Sequence, residues 1–117
     1  MIWMDEQGIC HESYTEGTRL TIEDAREQIQ IISEISGHKK VPLLVDLNNI
    51  IHVPRECRTY YAGKEGEKIV KVTALLVGTQ MSRVIGYFFI RLSKPVTPVK
   101  LFTSEKDALK WLKEYVN

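Results

Sequence analysis

The chain has 117 residues, a length at which one domain can bury a core without disulfides or bound metals. Its 16 basic and 15 acidic side chains leave a formal net charge of +1, so no bulk attraction to nucleic acid is expected. No apolar run approaches the roughly 18 residues that a membrane-spanning helix needs, and residues 1–8 lack the pattern of a secretion signal. We expect one cytoplasmic domain, residues 1–117, with Cys10 and Cys57 as reduced thiols.

The first part of the chain predicts a hairpin and a helix. Residues 2–6 and 9–14 alternate apolar and polar side chains around Gly8, which can supply a positive φ angle in the turn. Thr21 is a good N-cap, and Asp24 three residues later completes a capping box. Apolar side chains follow at helical spacing until Gly37: Ile22, Ala25, Ile29, Ile32 and Ile35.

Two apolar runs predict strands that are covered on both faces of a sheet. The first spans residues 41–47 and the second residues 71–77. A helix from Pro54 or Arg55 to Lys68 is predicted between them. Gly63 and Gly66 weaken that helix by about 1 kcal/mol each relative to alanine, unless they allow close packing on the sheet.

The last part of the chain predicts a helix, a short strand and a final helix. Ser82 is the predicted N-cap of a helix that ends at Lys94 and Pro95. Its apolar face contains Val84, Ile85, Phe88, Phe89 and Leu92. After a strand at residues 99–103, Ser104 and Asp107 cap a helix with one apolar stripe, which contains Ala108, Trp111, Leu112, Tyr115 and Val116.

The resulting order, ββαβαβαβα, predicts an α/β fold. We expect a mostly parallel, five-stranded mixed sheet with an N-terminal hairpin at one side and four helices. The predicted core contains Leu43, Leu44, Val45, Leu75, Leu76, Val77, Phe88 and Trp111 or Leu112.

Several segments resemble a known family. The order of the elements, and DLNNIIHVPREC after the first apolar strand, resemble the STAS or SpoIIAA-like fold, which is named for sulphate-transporter tails and anti-sigma-factor antagonists. LTIEDAREQI, VPLLVDL, ALLVGTQMSRVIGYFFIRLSKP and LFTSEKDALKWL resemble small uncharacterised bacterial STAS-like proteins. The resemblance runs from Leu20 to near the end of the chain. It implies a SpoIIAA-like β-α superhelix and a regulatory role that depends on binding another protein.

The chain departs from this family at one functional position. Anti-sigma-factor antagonists carry a phosphorylatable serine in an Asp-Ser-Ser-Gly element after this strand and loop. Here residues 53–57 read Val-Pro-Arg-Glu-Cys, and the next hydroxyl is that of Thr59. We therefore expect a protein that works without a serine phosphorylation switch at this position.

The loops after the two buried strands form the predicted binding site. If these strands are parallel neighbours, residues 48–55 and 78–83 emerge at the same edge of the sheet. The free N–H groups of the helix that begins near Ser82 favour an anion, and arginines could add charge. The predicted binding residues are Asn48, Asn49, Arg55, Arg58, Gln80, Ser82 and Arg83. In an equally good alternative, Ser82 only caps the helix, and Arg55 and Arg83 point into water.

Other reactive residues do not suggest catalysis. His11, His38 and His52 lie in separate segments without the spacing of metal ligands, and Cys57 is interpreted as a core residue. Because paired carboxylates and a nucleophile with a base are also lacking, we expect no enzyme, no metal and no cofactor.

Two hypotheses about function follow. The first is a non-enzymatic regulatory module that binds a protein partner through the loop after the central strand and the exposed side of the second helix. The alternative is a carrier or sensor that binds a small anionic or lipid-like ligand at the C-terminal edge of the sheet, in a crevice between the second and third helices. An apolar pocket of several hundred Å³ would favour this alternative. We also expect a homodimer, because Ile2, Trp3 and Met4 would lie on an uncovered sheet edge.

Overall fold

The computed structural model describes residues 1–116. Within them the chain forms seven strands and five helices. The elements are β1 (Ile2–Met4), β2 (Cys10–Glu12), β3 (Thr18–Arg19), α1 (Ile22–Ile35), β4 (Val41–Asp46), β5 (Ile50–His52), α2 (Arg55–Ala62), α3 (Lys64–Glu67), β6 (Val70–Leu76), α4 (Gln80–Ser93), β7 (Val99–Phe102) and α5 (Glu105–Lys113).

The apolar strand β4 lies at the centre of a five-stranded sheet with the order β1-β2-β4-β6-β7. It pairs in parallel with β2 on one side and with β6 on the other, and β7 adds a further parallel strand. Only β1 runs antiparallel, because it forms the predicted hairpin with β2, and Gly8 in the turn has a φ of +88°. The predicted mixed sheet with its N-terminal hairpin is therefore confirmed.

The helices cover both faces of the sheet. On one face α1, α2 and α4 pack against Leu43, Val45 and Leu75, and on the other α5 packs against Leu44 and Val72. This double cover explains why β4 and β6 are apolar at nearly every position. Of the predicted core, Leu43, Leu44, Val45, Leu75, Val77 and Leu112 are buried, whereas Leu76 and Trp111 are half-buried.

A second, two-stranded sheet lies outside the predicted architecture. The short strands β3 and β5 pair in parallel, with Thr18 opposite Ile50 and Arg19 opposite His52. The N–H of Leu20 also donates to the carbonyl of His52. The loop after β4 is thereby held against the segment that precedes α1.

The prediction of a single helix from residue 54 or 55 to residue 68 is wrong, because the structure divides this segment into α2 and α3. Gly63 between them has an extended backbone (φ −91°, ψ −155°), which interrupts the helical hydrogen bonds. Gly66 in α3 packs directly against the carbonyl oxygen of Tyr61. Residues 1–116 therefore contain five helices, not four.

Two predictions for α4 are also wrong. Its N-cap is Thr79 and not Ser82: Thr79 Oγ1 accepts from the Ser82 N–H, and Ser82 Oγ accepts from the Thr79 N–H. Phe88 is not in the core, since its side chain is 43% exposed. The small residues Ser82 and Gly86 face the sheet instead, and they allow α4 to approach it closely.

Candidate functional site

Asn48 joins the two loops that the sequence predicts to be neighbours. Its Oδ1 accepts hydrogen bonds from the N–H groups of Gly78 (2.6 Å) and Thr79 (3.2 Å) and from Ser82 Oγ (3.2 Å). Asp46 holds Asn48 in place, because Asp46 Oδ1 accepts from the Asn48 N–H at 2.9 Å. The predicted adjacency of the loops after β4 and β6 is therefore confirmed.

These hydrogen bonds occupy groups that an anion would need at the start of α4. The N–H groups of Gly78 and Thr79 donate to Asn48 and Ser82, and that of Ser82 donates to Thr79. Ser82 is completely buried. Asn48 and Ser82 thus join the loops to each other.

The other residues of the predicted site are dispersed. Asn49 donates from Nδ2 to the carbonyl of Tyr14, and Arg58 donates from Nη1 to the carbonyl of Val53. Arg55, Gln80 and Arg83 are exposed. Arg55 lines a shallow depression with Glu56 and Thr59, whereas Arg83 lines a groove beside β7. A binding role for this edge stays a prediction.

The most distinctive surface is the outer side of α4. Large apolar side chains there are 43–66% exposed: Met81, Val84, Tyr87, Phe88 and Leu92. Together with Leu101, Phe102 and Thr103 of the neighbouring β7 region, Val84, Tyr87 and Phe88 line a groove of about 560 Å³. We call it the α4–β7 groove. Exposed apolar groups in a contiguous patch are typical of binding surfaces.

The sequence contains a signal for this surface. Residues 84–92 are apolar nearly all round the helix, so hydrophobicity alone does not indicate which side is buried. Ser82 and Gly86, spaced four residues apart, are the small residues that allow a helix to approach a sheet. A Cβ at position 86 would lie 2.7 Å from Leu101 Cδ2 and 3.4 Å from Val77 Cγ1. That contact turns Phe88 outward.

A buried polar cluster lies under α1 and α2. Glu12 is 5% exposed and accepts a hydrogen bond of 2.5 Å from Tyr14 Oη, and Tyr61 Oη donates to Gln28 Oε1. Burial raises the pKa of Glu12 to about 7, although the hydrogen bond from Tyr14 opposes this shift. Burial also raises the pKa values of Tyr14 and Tyr61.

This cluster borders an internal cavity of about 90 Å³, whose other walls are mainly aliphatic side chains from the sheet, α1 and α4. Arg58 also lines the cavity, and its Nε atom is buried without a hydrogen-bond partner among the described residues. The cavity is smaller than the several hundred Å³ of a typical ligand pocket.

The candidate reactive residues have structural contacts. His11 Nε2 lies 2.8 Å from Asp5 Oδ2, and its ring stacks on Trp3. Cys10 and Cys57 are both buried free thiols, and burial raises the pKa of each, to about 12 for Cys10. In the described part of the chain, no three His, Cys, Asp or Glu side chains are grouped as metal ligands.

At the position of the family's Asp-Ser-Ser-Gly element, this chain offers no hydroxyl in the first turn of α2. Pro54 is the N-cap of α2 and offers no side-chain hydrogen bond, and Cys57 lies in the core. The first hydroxyl, that of Thr59, is exposed one turn into the helix.

Among residues 1–116, no helix is long and apolar enough to cross a membrane.

Comparison with known proteins supports the fold and leaves the function open. No curated protein matches this chain. An uncharacterised DUF3478-family protein from Shewanella loihica PV-4, with a SpoIIAA-like fold, is similar at a TM-score of 0.57 and 18% identity; the match covers 96% of this chain and 90% of that one. A protein of unknown function from Arthrobacter sp. FB24 is 25% identical over 96% of this chain and 97% of its own, with a TM-score of 0.37.

The resemblance to the SpoIIAA-like fold is confirmed by the Shewanella structure. The family model for a domain of unknown function, DUF7793, matches residues 2–116, nearly the whole chain. The chain therefore belongs to the DUF7793 family and has a SpoIIAA-like fold.

Proposed function

We propose that this chain is a non-enzymatic regulatory module that binds a protein partner through the exposed apolar side of α4. The observation that carries the proposal is the outward orientation of Val84, Tyr87, Phe88 and Leu92. Leaving such side chains in water forgoes part of the stabilisation of about 25 cal/mol per Å² that burial would provide. A partner that covers them would recover it.

The proposed surface differs from the one that the sequence suggested. Arg83 is common to both, because it belongs to the predicted edge and also lines the α4–β7 groove. Asn48 and Ser82 would have an indirect role, since their hydrogen bonds hold the first turn of α4 in place. Arg55 and the exposed side of α2 would lie outside the main contact between α4 and the partner protein.

The absence of a phosphorylation switch is part of the proposal. Pro54 and the buried Cys57 leave no exposed hydroxyl in the first turn of α2. Phosphopeptide mapping of the native protein should therefore give unmodified peptides across residues 53–60. A stoichiometric phosphate on Thr59 would contradict this part of the proposal.

The alternative is a carrier for a small anionic or lipid-like ligand, and the internal cavity is the observation in its favour. A volume of about 90 Å³ fits a few water molecules or a very small compound. The carrier hypothesis therefore ranks second. Native mass spectrometry that detected a retained small molecule would reverse the order.

Photocrosslinking in the native cell tests the interaction module. A photoreactive phenylalanine analogue replaces Phe88 in one variant and Ile35 in a control variant. Ile35 is 42% exposed on α1, so both sites are equally accessible. We expect a discrete protein adduct from position 88 and none from position 35. Adducts from neither position, or equally from both, would refute the proposed surface.

A stability measurement accompanies this experiment. Because Phe88 contacts the solvent on one side, Phe88→Ser should change the free energy of unfolding by less than about 1 kcal/mol. Used as an affinity bait without a photoreactive residue, the Phe88→Ser protein should nevertheless fail to capture the partner that crosslinking identified. A large loss of stability would mean that the lost capture reflects misfolding, and Tyr87→Ser would then be used as the second variant.

A further inference from the structure

The charges of this chain are segregated along the sequence. Residues 68–104 contain six basic side chains and no acidic one, and all 15 acidic residues lie outside this segment. The net charge of +1 for the whole chain conceals this segregation. The acid-free segment contains β6, α4 and β7, and therefore both walls of the α4–β7 groove.

Four of the six basic residues belong to the two elements that form the groove or to their ends. Arg83 and Arg91 belong to α4, Lys94 is its C-cap, and Lys100 belongs to β7. All four are exposed, and none forms an ion pair with a described residue. By contrast, Lys68 pairs with Glu65, and Lys71 donates to the carbonyl of Tyr115 under the other face of the sheet.

The basic side chains are positioned beside aromatic rings. The Arg91 guanidinium lies 5.7 Å from the centre of the Tyr87 ring. Lys100 Nζ lies 5.3 Å from the centre of the Phe102 ring and 5.8 Å from that of Trp111, on the side of β7 that faces α5. The groove therefore offers an apolar floor with Arg83 and Arg91 along its α4 side. A complementary partner has apolar side chains over the floor and carboxylates opposite these two arginines.

The shape of the groove favours a helix as the occupant. The exposed stripe runs through Val84, Phe88 and Leu92, which are spaced by one helical turn each. From Met81 to Leu92 it is about 16 Å long, the length of three turns of a partner helix. Ridges of such a helix can pack between the side chains of α4 and β7.

A second copy of the chain is a poor occupant. A two-fold interface brings the same patch of both subunits together. Arg83 and Arg91 of one copy would then face those of the other without a carboxylate from α4 or β7 between them. Such a juxtaposition of like charges is unfavourable.

From these observations we infer that the α4–β7 groove binds an acidic amphipathic helix of a partner protein. The inference rests on the proposed function and adds the chemical class of the partner. The apolar stripe of that helix covers Val84, Phe88 and Leu92, and its Asp and Glu side chains lie against Arg83 and Arg91.

A display library of helical peptides tests the class of partner. Each peptide has a fixed leucine stripe at helical spacing, and its flanking positions vary among Glu, Gln and Lys. Selection on the wild-type protein should enrich Glu at the flanking positions. A soluble peptide with the enriched sequence should bind at least tenfold more weakly when salt is raised from 50 to 300 mM, because its carboxylates would be screened.

Charge reversal supplies the matched control. Selection on Arg83→Glu/Arg91→Glu should enrich Lys instead of Glu. Lys39→Glu/Lys40→Glu reverses two exposed charges outside the groove and should leave the enrichment of Glu unchanged. Enrichment of Glu that persists in the groove variant would overturn the inference.

The remaining outcomes separate this inference from the proposed function. If photocrosslinking at Phe88 succeeds but the library yields neutral or basic helices, or none, the interaction module stands and the acidic helix is wrong. If both experiments fail, both proposals are wrong. Binding of vesicles containing 30% anionic phospholipid that requires Arg83 and Arg91, without enrichment of acidic helices, would identify a membrane surface and overturn the inference.

Discussion

At the scale of single residues, a buried carboxylate makes the stability of this fold depend on pH. Glu12 extends from β2 into the space beneath α1, where Tyr14 donates the hydrogen bond described above. A carboxylate in this place loses most of its hydration, so the protonated form is favoured and the pKa rises to about 7. Neither the proposed interaction surface nor the sheet edge uses this group.

The raised pKa predicts a pH dependence of stability. The folded state retains the Glu12 proton between its ordinary pKa of 4.5 and about 7, whereas the unfolded state releases it. Stability should therefore decrease as the pH rises from 4.5 to 7. Glu12→Gln should remove this decrease and be more stable than the wild type at pH 8 by about 1–3 kcal/mol.

Urea unfolding at several pH values measures this effect. Glu16→Gln is the control, because Glu16 is exposed and its replacement should leave the pH profile unchanged. If the Glu12→Gln profile runs parallel to that of the wild type between pH 4.5 and 7, Glu12 is not the titrating group.

Asn48 is the second residue with a specific role. Asn48→Ala removes the acceptor of three hydrogen bonds, and Ser82 Oγ remains to accept from Gly78 and Thr79. We expect a loss of about 1–2 kcal/mol in the free energy of unfolding. Asn48→Asp should retain most of the stability, since a carboxylate accepts the same bonds at the positive end of α4.

Chemical denaturation compares these variants with Gln80→Ala, which changes an exposed neighbour and should alter stability by less than about 0.5 kcal/mol. Equal stability of the Asn48→Ala and Gln80→Ala proteins would mean that the Asn48 hydrogen bonds do not stabilise the junction of the two loops.

At the scale of the elements, glycines decide how two helices lie on the sheet. Gly63 separates α2 from α3, and Gly66 allows α3 to fold back against Tyr61. Gly86 allows α4 to approach Leu101 and Val77. The two contacts differ in how well they tolerate an added Cβ atom. The obstacle at Gly66 is a backbone carbonyl, whereas that at Gly86 is the end of a flexible side chain.

This difference predicts unequal effects of alanine substitution. Gly66→Ala should destabilise the protein by about 2–3 kcal/mol, since its Cβ would overlap the Tyr61 carbonyl oxygen and the backbone must move. Gly86→Ala should cost less, because Leu101 can rotate away and alanine favours the helix by about 1 kcal/mol. Thermal and urea unfolding measure both. A Gly66→Ala protein at least as stable as Gly86→Ala would contradict this account of α3.

At the scale of the whole molecule, the two edges of the sheet have different properties. The β7 edge lies beside the basic α4–β7 groove, whereas the β1 edge carries Trp3, which is 44% exposed. Free edges with apolar side chains tend to associate. The β1 edge is therefore the place where a second copy of the chain would bind.

We predict that the protein forms a homodimer through β1 at high concentration. Trp3→Lys should keep it monomeric, because a charged side chain at a sheet edge opposes pairing. Ile35→Lys, an equally exposed position on α1, should leave the dimer intact. Sedimentation equilibrium measures the masses. A wild-type monomer at the highest attainable concentration, or a dimer that survives Trp3→Lys, would refute the prediction.

Local patterns in the sequence were sufficient to predict most of the fold. The capping pairs Thr21 with Asp24 and Ser104 with Asp107 mark the starts of α1 and α5, and the apolar runs identify β4 and β6. Parallel pairing of these strands then follows, because the helix between them returns the chain to the same end of the sheet. The adjacency of Asn48 and Ser82 follows from that pairing.

The exposure of Phe88 and the burial of Glu12 were decided only by tertiary contacts. The exposure of Phe88 depends on Gly86 meeting Leu101 and Val77, which are distant in sequence from one another. The burial of Glu12 depends on β2 pairing with β4 beneath α1. Hydrophobic periodicity reports that a helix has an apolar side, but it cannot decide which side faces the sheet when nearly the whole helix is apolar.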